Sequence, residues 1–180
     1  MHPNSQQMFV KWGLQWIAPG MKVLEIGPEA VPSTHARLFC ERHPDSGVRW
    51  EYLDLSNYEG MRRAIGEYEY EIADCEFDVV LAAQVLEHVR KPWLWVKELA
   101  RCVKLGGTVI LICPVTWPYH EFPVDCWRVY PDGMAALFEE AHLRIEIGVS
   151  ESLDGGVVDT LAVGTKVPLW EELSYERWTT

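Results

Sequence analysis

Apolar positions along the chain fall into two periods. Met8, Phe9, Trp12, Leu14 and Trp16 recur among polar residues, and Pro19-Gly20 follows, which predicts an N-terminal amphipathic helix over Met8 to Ile17. Lys22 to Ile26 is a short apolar run that stops at Gly27-Pro28, the mark of a buried strand entering a turn. His35 to Arg42 reads as a helix with Ser33 or Thr34 as its N-cap, Val48 to Leu53 as a strand ending at Asp54, and Ser56 to Ile65 as a helix. Phe77 to Ala83 and Thr108 to Cys113 are two further buried strands. Between them Trp93 to Val103 has helical spacing, with Gly106-Gly107 as a C-cap. A polar-aromatic loop runs from Val115 to Tyr130, and Asp132 to His142 is another helix. Arg144 to Ser150 and Val157 to Thr165 pair around Asp154-Gly155-Gly156.

Strands alternating with helices predict an α/β fold of Rossmann-like form: an open, twisted, mostly parallel sheet with helices on both faces. The last two strands lack a helix between them and predict an antiparallel edge hairpin. With 180 residues the chain fits a single domain, with residues 1–20 as an N-terminal helical segment and 167–180 as an aromatic tail. Leu169, Trp170, Tyr175 and Trp178 suit that tail to docking on the body or on a second subunit, so a homo-oligomer is one expectation.

The net charge of −11 and the lack of a Lys/Arg cluster argue against nucleic acid and anionic membranes as partners. The longest apolar runs are far too short for a bilayer, and the N-terminus has no signal-like core, so a cytoplasmic protein is expected. Five cysteines, none paired at CxxC spacing, predict reduced thiols and no metal site.

In an open α/β sheet, ligands bind at the carboxyl ends of the strands. Gly27 at the end of the first strand lets a ligand approach the backbone, and Glu25 can accept from a ligand amine. Asp54 at the end of the second suits the two hydroxyls of a ribose, or serves as a helix N-cap. Together these residues point to a nucleoside-bearing ligand. The Gly-x-Gly-x-x-Gly fingerprint of nicotinamide dehydrogenases is absent.

Val23-Leu24-Glu25-Ile26-Gly27-Pro28, Tyr52-Leu53-Asp54-Leu55-Ser56, Phe77 to Val89 and Glu98 to Gly107 come in an order that resembles class I S-adenosylmethionine-dependent methyltransferases. The resemblance implies S-adenosyl-L-methionine as cofactor. It implies that Glu25, Gly27 and Pro28 line the methionine end, that Asp54 holds the ribose, and that Leu55 and Tyr68 contact the adenine. Ala82, Ala83 and Gln84 would border the transferred methyl. One departure is Glu29, where the family has a second glycine; a carboxylate there can repel that of the cofactor. The other is Leu105 in place of a proline.

The loop from Trp117 to Arg128 resembles that of bacterial members acting on glycans or small metabolites. A small-molecule acceptor, a sugar or metabolite hydroxyl or amine, is the implied partner. His120 and His88 are the candidate bases, and Trp117, Tyr119, Asp125 and Arg128 the candidate acceptor-binding residues, with Glu121 or Asp125 able to orient His120. The bland alternative pairs Arg128 with Asp125 and packs the loop on the core. A rival reading for the whole chain is a non-catalytic module of the same fold acting with a partner chain.

Overall fold

A computed structural model describes residues 2–56, 59–153 and 155–173. Eight strands among them form one sheet in the order β4-β3-β2-β1-β5-β6-β8-β7. Its centre is parallel: β1 (Lys22–Ile26) lies between β2 (Arg49–Asp54) and β5 (Phe77–Ala83), and β6 (Val103–Pro114) follows β5. The strand order reverses at β1, so a crevice opens at the carboxyl ends of β1 and β5. The hairpin of β7 (Leu143–Glu151) and β8 (Asp159–Lys166) is antiparallel as expected, with β8 inserted between β6 and the edge strand. Of the turn residues, Asp154 lies outside the described residues.

The two faces of the sheet bury separate apolar sets because strand side chains alternate. Leu24, Ile26, Val80, Ala82, Val109 and Leu111 face one layer, which holds α3 (Pro92–Cys102) and α4 (Pro131–Glu140). Val23, Val79, Leu81, Ile110 and Ile112 face the other, which holds the N-terminal helical segment and α2 (Thr34–Arg42). Ser33 caps α2, its Oγ accepting from the Ala36 amide at 3.0 Å.

Three expected elements differ. The N-terminal helix starts earlier, with α1 at Pro3–Met8, then continues as a π-turn over Phe9–Gly13 and a 3-10 turn over Leu14–Trp16. Its first turn is held by Asn4, which donates to Asp159 at 2.6 Å and accepts from the Leu153 amide. Of the expected helix over Ser56 to Ile65, residues 57 and 58 lie outside the described residues, and the described part is not helical: β3 is extended over Arg62–Gly66 and pairs with the end of β2, while β4 (Glu69–Tyr70) returns antiparallel. Only Leu53 and Asp54 overlap with Arg62 and Arg63, so a short loop suffices where a longer overlap would need a crossover helix. Finally, Gly106-Gly107 does not cap α3, which ends at Cys102. The pair instead forms an excursion inside β6, where a Cβ on Gly107 would meet the Asp78 carbonyl at 2.7 Å. Asp78 is structural, accepting from the Lys22 amide and from Lys104.

Beyond β8, Val167 is buried, whereas Leu169 and Trp170 are exposed. The tail's Tyr175 and Trp178 lie outside the described residues. Among the described residues no helix is long and apolar enough to cross a membrane.

β8 lies tightly under α4. A Cβ on Gly164 would stand 2.4 Å from Phe138 Cδ2, whereas one on Gly66 meets nothing within 4 Å. Gly164→Ala should cost about 1–3 kcal/mol through overpacking. Thermal denaturation should show its Tm lowered by several degrees, with that of Gly66→Ala unchanged or slightly raised.

Candidate active site

The crevice holds two adjoining cavities, of about 190 Å³ and 560 Å³, whose walls share Gly27, Asp54 and Phe122. Gly27 makes the first turn possible. Its φ is +63°, and a Cβ there would lie 2.7 Å from Val85 Cγ2. Its amide donates to the Leu53 carbonyl at 2.9 Å, which ties the ends of β1 and β2 together. Asp54 faces both cavities. Its Oδ1 accepts from the Ser56 amide at 2.6 Å, closing a turn rather than capping a helix, and its second oxygen has no donor among the described residues.

The smaller cavity is largely apolar, with Ile26, Leu53, Leu55, Ala64, Val85, Val89 and Trp95 in its wall. Trp95 donates to the Tyr70 hydroxyl at 2.7 Å, which fixes two aromatic walls. Gln84, Glu67 and His88 contribute the polar edge, and Phe122-Pro123 crosses the mouth. The larger cavity lies along Pro28, Glu29, Ala30 and Val31. Burial opposes ionisation of Glu29, but hydrogen bonds from the Thr34 hydroxyl and amide outweigh it and hold the carboxyl below its usual range. The carboxylate that replaces the family's second glycine therefore braces the start of α2.

Several expected residues lie elsewhere. Glu25 does not reach either cavity. It is buried, and its oxygens accept from Ser33 Oγ, from His35 Nδ1 at 2.8 Å and from Trp50 Nε1 at 2.8 Å. A carboxylate buried and engaged in this way positions the loop after β1 and is out of reach of a ligand in either cavity. Ala82 and Ala83 are buried within the sheet, on opposite faces. Tyr68 accepts at its hydroxyl from the Lys91 amide, and its neighbour Glu67 lines the cavity instead.

The acceptor-side loop also spends its charged pair on itself. Asp125 has a side chain only 1% exposed, and Arg128 grips both its oxygens, at 2.5 and 2.7 Å. Arg128 donates further to the Trp117, Pro118 and Trp127 carbonyls. The Asp125 carboxyl is held far below its usual range, first by Arg128. Asp125 and Arg128 are thus corrected from acceptor-binding residues to the clasp that shapes the loop. Trp117 stacks on His2, with ring centres 4.9 Å apart, and Tyr119 is exposed and bonded to Glu121; neither lines a cavity.

The loop nevertheless brings His120 to His88, with ring centres 4.9 Å apart. His88 Nδ1 lies 2.6 Å from the Val124 carbonyl, which can only accept, so a neutral ring has its lone pair on Nε2. His120 Nδ1 likewise faces the Pro118 carbonyl and Asp125, at 3.2 and 3.3 Å. Below them Glu87 is fully buried, and neither of its oxygens has a hydrogen-bond partner among the described residues. Burial pushes its carboxyl up to about 8. Gln84 is in the left-handed region at φ +59° and bridges Asp159 and His2, bringing the N-terminus to the same end. Two thiols are held in the protonated form: burial pushes Cys102 up to about 12, and Cys113 higher.

Sequence reasoning missed Tyr70, Val85, Trp95 and the mouth residues Phe122 and Pro123, which long-range packing alone brings to the crevice. Acid at Glu67 was visible, but its side-chain direction was not.

Comparisons with known proteins agree with this architecture. Residues 54–111 match the family model described as a methyltransferase domain. No curated protein matches the sequence. Among solved structures, a chain of the complex between the Haloferax volcanii Trm112 methyltransferase activator and a methyltransferase has a TM-score of 0.67 at 16% identity, covering 91% of this chain and 94% of that one. An S-adenosylmethionine-dependent methyltransferase from Aquifex aeolicus has a TM-score of 0.66 at 15% identity, covering 91% and 90%. The 1,6-didemethyltoxoflavin-N1-methyltransferase of Burkholderia thailandensis, solved with 1,6-didemethyltoxoflavin and S-adenosylhomocysteine, has a TM-score of 0.67 at 14% identity, covering 93% and 78%. The chain has the class I S-adenosylmethionine-dependent methyltransferase fold and carries the methyltransferase-domain pattern over residues 54–111.

The clasp is open to a direct test. Arg128→Ala strands a covered carboxylate and should cost about 1–3 kcal/mol. It should also speed limited proteolysis between residues 115 and 130. Arg128→Lys should not restore the loop, because an ammonium lacks the planar fork that spans both oxygens of Asp125.

Proposed function

We propose that the chain is a methyltransferase that binds S-adenosyl-L-methionine in the crevice and methylates a small acceptor, a sugar-like or metabolite hydroxyl or amine. The observation that carries this reading is the Gly27–Asp54 pair: a backbone that needs to lack a Cβ beside a carboxylate whose second oxygen has no donor among the described residues, at the switch in strand order. Asp54 would take the ribose hydroxyls, with Leu55 and the apolar wall against the base. Gly27 and Pro28 would pass along the methionine part, and Gln84 would stand toward the reacting end. When bound, the cofactor supplies an electrophilic methyl group on a good leaving group.

The chain's own task is orientation and proton handling. Phe122 and Pro123 stand in the cavity wall beside His88, whose Nδ1 is held by the Val124 carbonyl. An acceptor hydroxyl must lose its proton to become a good nucleophile, and His88 and His120 are the groups placed to take charge of it. Trp117 and Tyr119 give the loop an aromatic outer surface suited to a sugar ring. A hydroxyl acceptor uses this histidine pair, whereas an amine needs only alignment.

A second reading, a module acting with a partner chain, is favoured by the exposed Leu169 and Trp170. Light scattering of the chain truncated after Lys166 tests it: an unchanged monomer counts against it.

Isothermal calorimetry with S-adenosylhomocysteine tests the first reading. Wild type should bind in the micromolar range, and Asp54→Ala should weaken binding at least tenfold, about 1.4 kcal/mol. Equal affinity of both proteins would remove Asp54 from the site, and no binding at millimolar ligand would overturn the reading.

A further inference from the structure

We propose that Glu87, His88 and His120 form a site for one divalent transition cation at the acceptor end of the crevice, with a position left open for an acceptor oxygen. One potential ligand atom from each residue lies within 4.8 Å of the others, and Glu87 Oε1 is 3.8 Å from His88 Nε2. Ligands of a shared cation with bonds of about 2.1 Å stand about 3–3.5 Å apart, so small side-chain rotations close the set. Two imidazoles and one carboxylate are a donor set that first-row divalent cations favour, and three protein ligands leave room for a further oxygen.

Two independent features single this cluster out. The first is Glu87. Neither oxygen of buried Glu87 is hydrogen-bonded among the described residues, and at such a place the anionic carboxylate is stable only where a positive group reaches it. Arg128, a cation of the same loop, is engaged with Asp125 and with backbone carbonyls. The second is the outer support of the imidazoles. His88 Nδ1 is fixed by the Val124 carbonyl, and His120 Nδ1 by the Pro118 carbonyl and Asp125, which leaves Nε2 of each ring as the nitrogen available to a cation. A carbonyl or carboxylate behind the far nitrogen is the usual support of a metal-bound histidine. The Asp125–Arg128 clasp thus acquires a purpose, as it sets the position of His120.

The location gives the cation a role. His88 also lines the cavity beside Gln84 and Phe122, so an oxygen bound at the open position would lie at the mouth of the proposed methyl-transfer site. A coordinated hydroxyl is a stronger acid than a free one, and its proton can leave to solvent. The acceptor class this favours is a hydroxyl. This role rests on the methyltransferase reading; the cation site itself does not.

The test is titration of the chelator-treated full chain with ZnCl2 by calorimetry, and with CoCl2 by absorption spectroscopy. Wild type should bind one Zn2+ per chain, gain several degrees in Tm, and show visible Co2+ bands of a low-symmetry site. Glu87→Gln, which keeps the side-chain shape, and His120→Gln, on the loop, should each weaken Zn2+ binding at least tenfold. Both should retain their cooperative melting. Wild type and both variants binding Zn2+ alike, or wild type not binding it at submillimolar concentration, would overturn the proposal. S-adenosylhomocysteine titrations of the same samples separate the two ideas. Zn2+ binding without nucleoside binding sinks only the methyltransferase reading, and the reverse sinks only the cation site.

Discussion

The site depends on one close approach, the passage of Gly27 beneath Val85. The chain leaves β1 in a left-handed conformation with 2.7 Å between a would-be Cβ and the Val85 side chain. That contact brings the end of β1 against the segment after β5, at the place where the strand order reverses. Any side chain at Gly27 would push the two apart and misalign both halves of the crevice. The two walls of the crevice, one running from Pro28 to Asp54 and the other from Gln84 to His88, are therefore set by the same backbone geometry.

Two buried carboxylates stiffen the loops on either side of the crevice. Glu25, under the β1 turn, gathers Ser33, His35 and Trp50 and so fixes the loop that enters α2. Asp125, in the long loop after β6, gathers Arg128 and the His120 amide. Neither is available to a ligand, and both act on ligands through the backbone they hold. Glu87 is the contrast: equally buried, it has no donor on either oxygen among the described residues. The difference between a satisfied and an unsatisfied carboxylate separates the residues that shape this site from the one that awaits an occupant.

The parallel centre of the sheet was legible because its strands are continuous apolar runs ended by Gly27, Asp54 and Pro114, and buried strands carry that pattern. Asp54 and Gly27 were legible as crevice residues because they stand at the carboxyl ends of strands. The segment from Ser56 to Gly66 was not, since helical spacing in a short polar stretch is weak and a free sheet edge took Arg62 to Gly66 instead. Glu25, Asp125 and Arg128 have the residue types of ligand contacts, but type does not reveal the partner. Glu25 meets His35 and Trp50 only through packing of α2 and β2, and Arg128 meets Asp125 in a loop without periodicity. The meeting of His88 with His120 depends on that same loop, so the metal-like cluster left no spacing signal of the kind that zinc motifs leave.

A crystal structure of the chain grown with S-adenosylhomocysteine tests the central claim most directly. The account predicts the ribose hydroxyls on Asp54, the base against Leu55 and the sulfur on the Gln84–His88 side of Gly27. A crevice that stays without ligand at saturating concentration, or a nucleoside bound away from Gly27 and Asp54, would contradict it.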